Sequence, residues 1–246
     1  MDKMLYIAMS GLKQTLKAQA VNTHNLANVS TPGFRADLET FKAAQVNGDG
    51  FNSRAYSTTG SSGVDLRLGS IQKTGNDLDI AIASEGYIAV QSLEGKEAYT
   101  RNGNLHITGN GQLVDNRGRA ILGNGGPISL PPASKIEIGT DGTVSIVPLG
   151  EQSNTLAVVD RIKLVKPDTF QLLKGRDGLL SLADGTDADA DGSVRIVKGS
   201  LEGSNVNVIE SMINMISLSR AFETQTKLMK AAKEADEQST RILSLN

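Results

Sequence analysis

Cysteine and tryptophan are both missing from this chain of 246 residues, histidine occurs twice, and aromatic residues make up only 4%. Without cysteine there is no disulfide, thiolate metal site or thiol nucleophile, a composition that suits export into oxidising space without bridges. So few aromatics argue against an aromatic-lined ligand pocket. Twenty-five basic residues against 27 acidic ones leave a formal net charge of −2, so no basic field invites nucleic acid or an anionic membrane. No apolar run reaches the ~18 residues that a spanning helix needs, so no membrane span is expected. The first residues, Met1 to Gln14, lack the basic n-region, continuous apolar core and small-residue cleavage site of a secretory signal. Any route out of the cytoplasm is then expected to cleave no such signal.

What is present divides into two helical ends around a β-patterned middle, an α+β organisation. Near the N-terminus, Leu5, Met9, Leu12, Leu16, Gln19, Thr23 and Leu26 recur in 4-3-4-3 steps, with Asp2 placed to cap the first turn. At the other end Asn207 and Glu210 have capping-box spacing. Val208, Ser211, Met215, Leu218, Phe222, Gln225, Met229, Ala232, Asp236, Ser239 and Leu243 follow in 3-4 steps. Both stripes carry polar residues. That suits many moderate contacts in a packed array of helices better than one strong two-stranded coil. Helices at both ends of a β core are most simply explained if they exist for other copies of the chain. We therefore expect Leu5, Met9, Leu12, Leu16, Leu26, Met215, Leu218, Phe222, Met229 and Leu243 to form subunit interfaces.

Between the first helix and the middle lies a sharp corner, Asn25-Leu-Ala-Asn-Val-Ser-Thr-Pro-Gly-Phe-Arg35. Asn28 is expected to end the helix in the left-handed conformation, and Pro32 to force Thr31 out of the α region. Gly33 supplies a free dihedral, so that Phe34 turns back as an apolar anchor. Asn28-Val-Ser30 also has the form of a glycosylation acceptor, a pattern common by chance. The segment 31–70 reads as an extended connector, and its part from 43 onward is rich in Gly, Ser and Thr. From about 71 to 200, short alternating runs such as Asp79–Ala83 and Tyr87–Gln91 are separated by turn residues. Gly109-Asn-Gly111 and Asp141-Gly142 mark two hairpins. Turns every 8–12 residues predict an antiparallel sandwich or irregular barrel. The expected division is 1–30, 31–70, 71–200 and 201–246.

Little here carries chemistry. Asp187, Asp189, Asp191 and Gly192 match most of a calcium loop, but Lys198 stands where a bidentate Glu is needed, and a strand rather than a helix follows. The default is a solvated acidic turn. His24 and His106 belong to no catalytic motif, and no carboxylate pair is singled out. Neither an enzyme nor a cofactor is expected. The rival reading, a secreted glycan-binding or glycan-cleaving β domain, would need convergent carboxylates or aromatics.

These residues resemble the flagellar rod and hook family. The corner Asn25 to Phe34 is similar to that family's N-terminal signature. So are Leu201-Glu-Gly-Ser-Asn-Val-Asn207, Met212-Ile213 and Arg220-Ala-Phe-Glu223 near the C-terminus. In between, Leu78-Asp-Ile-Ala-Ile82, Gly86-Tyr-Ile-Ala-Val-Gln91, Tyr99-Thr-Arg-Asn-Gly103 and Gly111-Gln-Leu-Val114 resemble its β-domain motifs, in the right order. Length, Tyr6, Ala8-Met-Ser-Gly11 and Thr31 to Arg35 look most like a proximal-rod member, with a distal-rod or hook paralogue as the alternative. The resemblance implies terminal helices paired in a coiled-coil-like tube domain, with an outer β domain. It also implies a place in the basal-body rod that crosses the periplasm. Implied partners are further copies of the chain, proximal and distal rod proteins, and the flagellar type III export apparatus.

Overall fold

A computed structural model describes the chain over residues 2–45, 55–150 and 156–243. Its internal contacts divide it into two units. Met1–Asn28, Asp37–Asp65 and Val206–Asn246 belong to unit 1; Val29–Ala36 and Leu66–Asn205 belong to unit 2. The architecture is α+β, with a β-rich central part.

Unit 1 holds two long helices, α1 (Asp2–Ala27) and α2 (Val208–Leu243), and two strands, β1 (Asp37–Gln45) and β2 (Ala55–Val64). The helices run antiparallel, since Thr15 meets Gln225 whereas Asn22, further along α1, meets Ser211. At its N-terminus α2 is capped by Asn207, whose Oδ1 accepts the backbone N–H of Ile209 at 3.0 Å and of Glu210 at 3.3 Å. The side chain of Asp2, the expected cap of α1, lies outside the described residues.

At the end of α1 the mechanism differs from the expected one. No non-glycine residue among those described has a positive φ, so Asn28 does not turn left-handed. Instead its side-chain Nδ2 donates to the His24 carbonyl at 2.9 Å, and its backbone N–H to the same carbonyl at 3.2 Å. The side chain satisfies a terminal carbonyl directly, which removes the need for the strained conformation.

Much of 31–70, read above as a connector, is a ribbon. β1 and β2 pair antiparallel from Asp37↔Val64 to Gln45↔Ala55, with a bulge between Glu39 and Phe41. The sequence of β2 has few apolar residues to alternate, which hides a strand from periodicity.

Unit 2 is built from short antiparallel strands. Its largest sheet has five, in the order Leu164–Val165, Tyr87–Gln91, Glu97–Thr100, Leu180–Leu182, Leu172–Lys174. A three-stranded sheet runs Ala133–Ile138, Thr143–Pro148, Ala157–Arg161. The two expected hairpins form, Leu105–Ile107 with Leu113–Asp115 and Ala133–Ile138 with Thr143–Pro148. Tyr87–Gln91 shows how the core is organised. Ile88 and Val90 point into a cluster with Ile80, Leu113, Ile121 and Ile162, while Tyr87 and Ala89 point into another with Tyr99, Val165 and Leu180. A strand buried on both faces needs an unbroken apolar run, which Tyr87-Ile-Ala-Val90 supplies. Although Ile80–Ile82 precedes it closely in sequence, it pairs elsewhere, with Ile196–Lys198.

Leu113 is fully buried in the larger cluster. Leu113→Ala should lower the stability of unit 2 by about 2–5 kcal/mol, seen as an earlier midpoint in denaturant unfolding followed by circular dichroism.

Candidate assembly interface and the motif corner

Within unit 1 the two helices meet through small and polar residues. A Cβ on Gly11 would lie 3.2 Å from Gln225 Nε2. The Thr15 hydroxyl is 3.1 Å from both Gln225 Oε1 and the Gly11 carbonyl, and Asn22 Nδ2 donates to the Ser211 carbonyl at 2.7 Å. Thr15 and Ser211 are buried. On α2 the expected stripe faces this contact: Met215, Leu218, Phe222 and Met229 are half-buried, in step with Ser211 and Gln225. The side chain of Leu243 lies outside the described residues. On α1 the expected stripe is offset from the contact by about one residue, or roughly 100°. Leu12 and Leu26 are half-buried, but Leu5, Met9 and Leu16 are 37%, 49% and 49% exposed.

A second apolar stripe, not singled out by the heptad reading, lies exposed on α2. It comprises Ile209, Met212, Ile213 and Ile216, each more than half exposed, at helical 3-4 spacing. The spacing is visible in the sequence, but periodicity does not tell which of two apolar stripes on one helix is covered.

The corner residue Asn25 has a definite task in unit 1. Its Nδ2 donates to the Asp37 carbonyl at 2.9 Å and its Oδ1 accepts the Asp37 N–H at 2.8 Å, so the side-chain amide mimics a neighbouring strand. His24 Nδ1 lies 2.9 Å from Asp37 Oδ2, and Lys17 pairs with the buried Glu39 at 2.6 Å. Together these bonds hold the ribbon to α1.

In unit 2, Thr31–Phe34 is a tight turn closed by Phe34 N–H to the Thr31 carbonyl at 3.3 Å. Pro32 and Gly33 occupy its two central places, and Gly33 has φ +68°. Phe34 is buried as expected, with Lys174 Nζ 4.1 Å from its ring centre. The next residue has a role that the sequence does not announce. Arg35 is buried against Glu202, Nη2 to Oε1 at 2.8 Å, and Glu202 Oε2 takes Arg101 Nη1 at 2.6 Å. All three side chains are at most 3% exposed. Arg101 also donates to the carbonyls of Gly86 and Ser84, and Arg35 to that of Arg67. Burial pulls the Arg35 guanidinium below its ordinary value; Glu202 opposes this and Arg101 adds to it. The Tyr87 hydroxyl is pushed up by the same burial, against the pull of Arg35 and Arg101. The signal available in the sequence was one charged residue inside each of three separate motifs, at Arg35, Arg101 and Glu202.

Two further polar groupings of unit 2 are engaged in local bonds. A cleft in unit 2 is lined by Glu85, Tyr87, Arg101 and Lys166, where Lys166 faces Glu85 at 3.1 Å and Arg101 faces Glu202. In the acidic segment, Asp191 Oδ1 accepts the Ser193 N–H at 2.7 Å, which holds its carboxyl below the usual range, and the Ala188 N–H donates to the Tyr99 hydroxyl. Among the described residues no three His, Asp or Glu side chains are grouped to hold a metal ion, and no helix is long and apolar enough to cross a membrane.

Three family models match the chain. The one described as flagella basal body rod protein covers residues 5–35, the flagellar hook protein FlgE/F/G D1 domain covers 81–146, and the flagellar basal body rod FlgEFG protein C-terminal covers 197–242. The chain is 40% identical to the flagellar basal-body rod protein FlgF of Salmonella typhimurium and 39% identical to that of Escherichia coli, each across the full length of both chains. It is 32% identical to the rod protein FlgG of Bacillus subtilis, over 95% of this chain and 96% of the other.

A Cβ at Gly33 would lie 2.3 Å from the carbonyl carbon of Arg101, and the positive φ adds strain. Gly33→Ala should therefore displace the turn and destabilise unit 2, measured as a lowered thermal midpoint of the purified chain.

Proposed function

The chain belongs to the FlgF family of flagellar basal-body rod proteins, structural subunits of that assembly, and we propose that it works there through contact alone. In this reading α1 and α2 pack with the helices of adjacent subunits to line a narrow tube, in a coiled-coil-like array. Unit 2 forms an outer layer. The neighbours are further copies of the chain and other rod proteins, proximal and distal. The place of the chain is the proximal rod, which crosses the periplasm and transmits torque. It reaches that place through the flagellar type III apparatus, without cleavage of a signal peptide.

One observation carries the reading. The helices meet each other through Gly11, Thr15, Asn22, Ser211 and Gln225, with Met215, Leu218, Phe222 and Met229 only half-buried beside them, whereas Leu5, Met9, Leu16, Ile209, Met212, Ile213 and Ile216 are left exposed. Helices normally pair by their apolar faces. A pair that keeps such side chains outward is suited to neighbours that cover them. Each contact is then modest in the monomer, and only the array buries enough apolar surface to become rigid. Torque transmission requires no reactive group, which agrees with the absence of a catalytic motif from the sequence.

The test uses exposed positions, where a carboxylate is harmless in the monomer and costs several kcal/mol once covered. Leu16→Asp and Ile213→Asp should leave unit 2 folded by circular dichroism and abolish rod completion and swimming. Normal motility in both variants would overturn the assignment of these faces.

A further inference from the structure

Between the two units the chain passes four times, after Asn28, Ala36, Asp65 and Asn205. On the unit 2 side, the residues next to these passages are bonded to one another. The Ala36 N–H donates to Asn205 Oδ1 at 2.8 Å, and Asn205 Nδ2 donates to the Arg67 carbonyl at 3.0 Å. That same carbonyl takes Arg35 Nη1 at 2.7 Å. The Asn205 N–H reaches the Phe34 carbonyl, and the Gly33 N–H the Glu202 carbonyl. At the centre is the Glu202 carboxylate. Oε1 faces Arg35 and accepts the Gly69 N–H at 2.8 Å, and Oε2 holds Arg101, which the carbonyls of Ser84 and Gly86 fix in unit 2. The backbones at this point are as close as glycine allows: a Cβ on Gly69 would lie 2.1 Å from the Gly203 carbonyl oxygen.

We propose that Glu202, seconded by Asn205, is the positioning residue of the subunit's load path. It ties the strands by which the chain enters and leaves unit 2 to one another and to that unit's core, so a pull on the termini is shared among them. The inference rests on the rod reading above for the source of the load, but the clamp itself is a property of unit 2. Strands tied side by side resist as a group, because every bond must yield together. Untied strands peel, and each bond is broken alone. A carboxylate is suited to the centre of such a clamp, because it accepts from several donors at once and charge-assisted bonds are the strong ones. Burial sharpens the effect, since removing one member leaves buried charge without a partner.

The chain contains no cysteine, so two introduced ones can serve as unambiguous pulling handles. In the full-length protein, Ser30→Cys, where the chain has just entered unit 2, and Ile209→Cys, in the first turn of α2 just beyond its last exit, let an optical trap pull on the unit 2 path from both sides. We expect the otherwise unmodified chain to resist until unit 2 unfolds in one event. With Glu202→Gln, a short low-force step should precede that event as the strands peel. The same single event at the same force in a folded Glu202→Gln chain would overturn the clamp. If Glu202→Gln lacks the main event altogether, Asn205→Ala, which deletes only the amide's ties, decides by the same criterion. In motors, cells with complete flagella carrying the variant should lose rotation at high load more than at low load. An unchanged ratio would overturn the load role. A strain lacking the chain that still builds and turns flagella would overturn the rod reading and leave the pulling result standing.

Discussion

A carboxylate held out of water between two arginines constrains how several distant segments of unit 2 come together. Burying Glu202, Arg35 and Arg101 removes three charges from water, a cost recovered only if each finds partners with good geometry. The partners come from distant places in sequence: the corner after α1, the strand end at Arg101, the carbonyls of Ser84, Gly86 and Arg67, and the N–H of Gly69. Removing the Glu202 carboxylate would leave two buried guanidiniums without their counter-charge. The Thr31–Phe34 turn beside the cluster needs glycine at position 33 for a separate reason, its positive φ and its close approach to the backbone of Arg101 and Asn102.

The helices obey a different economy. Their mutual contact mixes polar residues with half-buried Met215, Leu218 and Phe222, while a second set of apolar side chains, among them Ile209, Met212 and Ile213, stays exposed. Small residues such as Gly11 let the backbones approach, and the exposed set leaves apolar surface in water that the pair itself does not cover. Such a pair leaves apolar faces uncovered, which is what the proposed packing in an array would use. Unit 2, with Ile80, Ile88, Leu113 and Ile121 fully buried, has its own apolar core. The contrast between the two units is therefore one of where the apolar side chains are spent.

Much of this was legible in the residues. Asp141-Gly142 and Gly109-Asn-Gly111 marked their hairpins because the turn geometry depends on local dihedral preferences. Asn207 announced the start of α2 for the same reason, and the Pro32-Gly33-Phe34 corner is also local. Other features escaped. The ribbon of β1 and β2 gave no alternation, because a two-stranded ribbon rich in Ser, Thr and Gly needs no buried face to be paired. Asn28 looked like a left-handed helix end, and its side chain closed the helix instead. Arg35 and Glu202 show only their sign in the sequence, and the partner that allows the burial of each lies far along the chain.

The sequence by itself determined the elements and their character: two long amphipathic helices, a glycine-punctuated β segment, no thiol chemistry and no apolar run long enough for a membrane-spanning helix. It also carried the family, because the motifs are contiguous strings that survive without knowledge of their contacts. Only the tertiary structure decided which face of α1 meets α2, which strands pair, and that three motifs share one buried ion cluster. The reason is physical. Periodicity records that a face is apolar but not what covers it, and a charged residue shows its sign but not the distant partner that makes its burial possible.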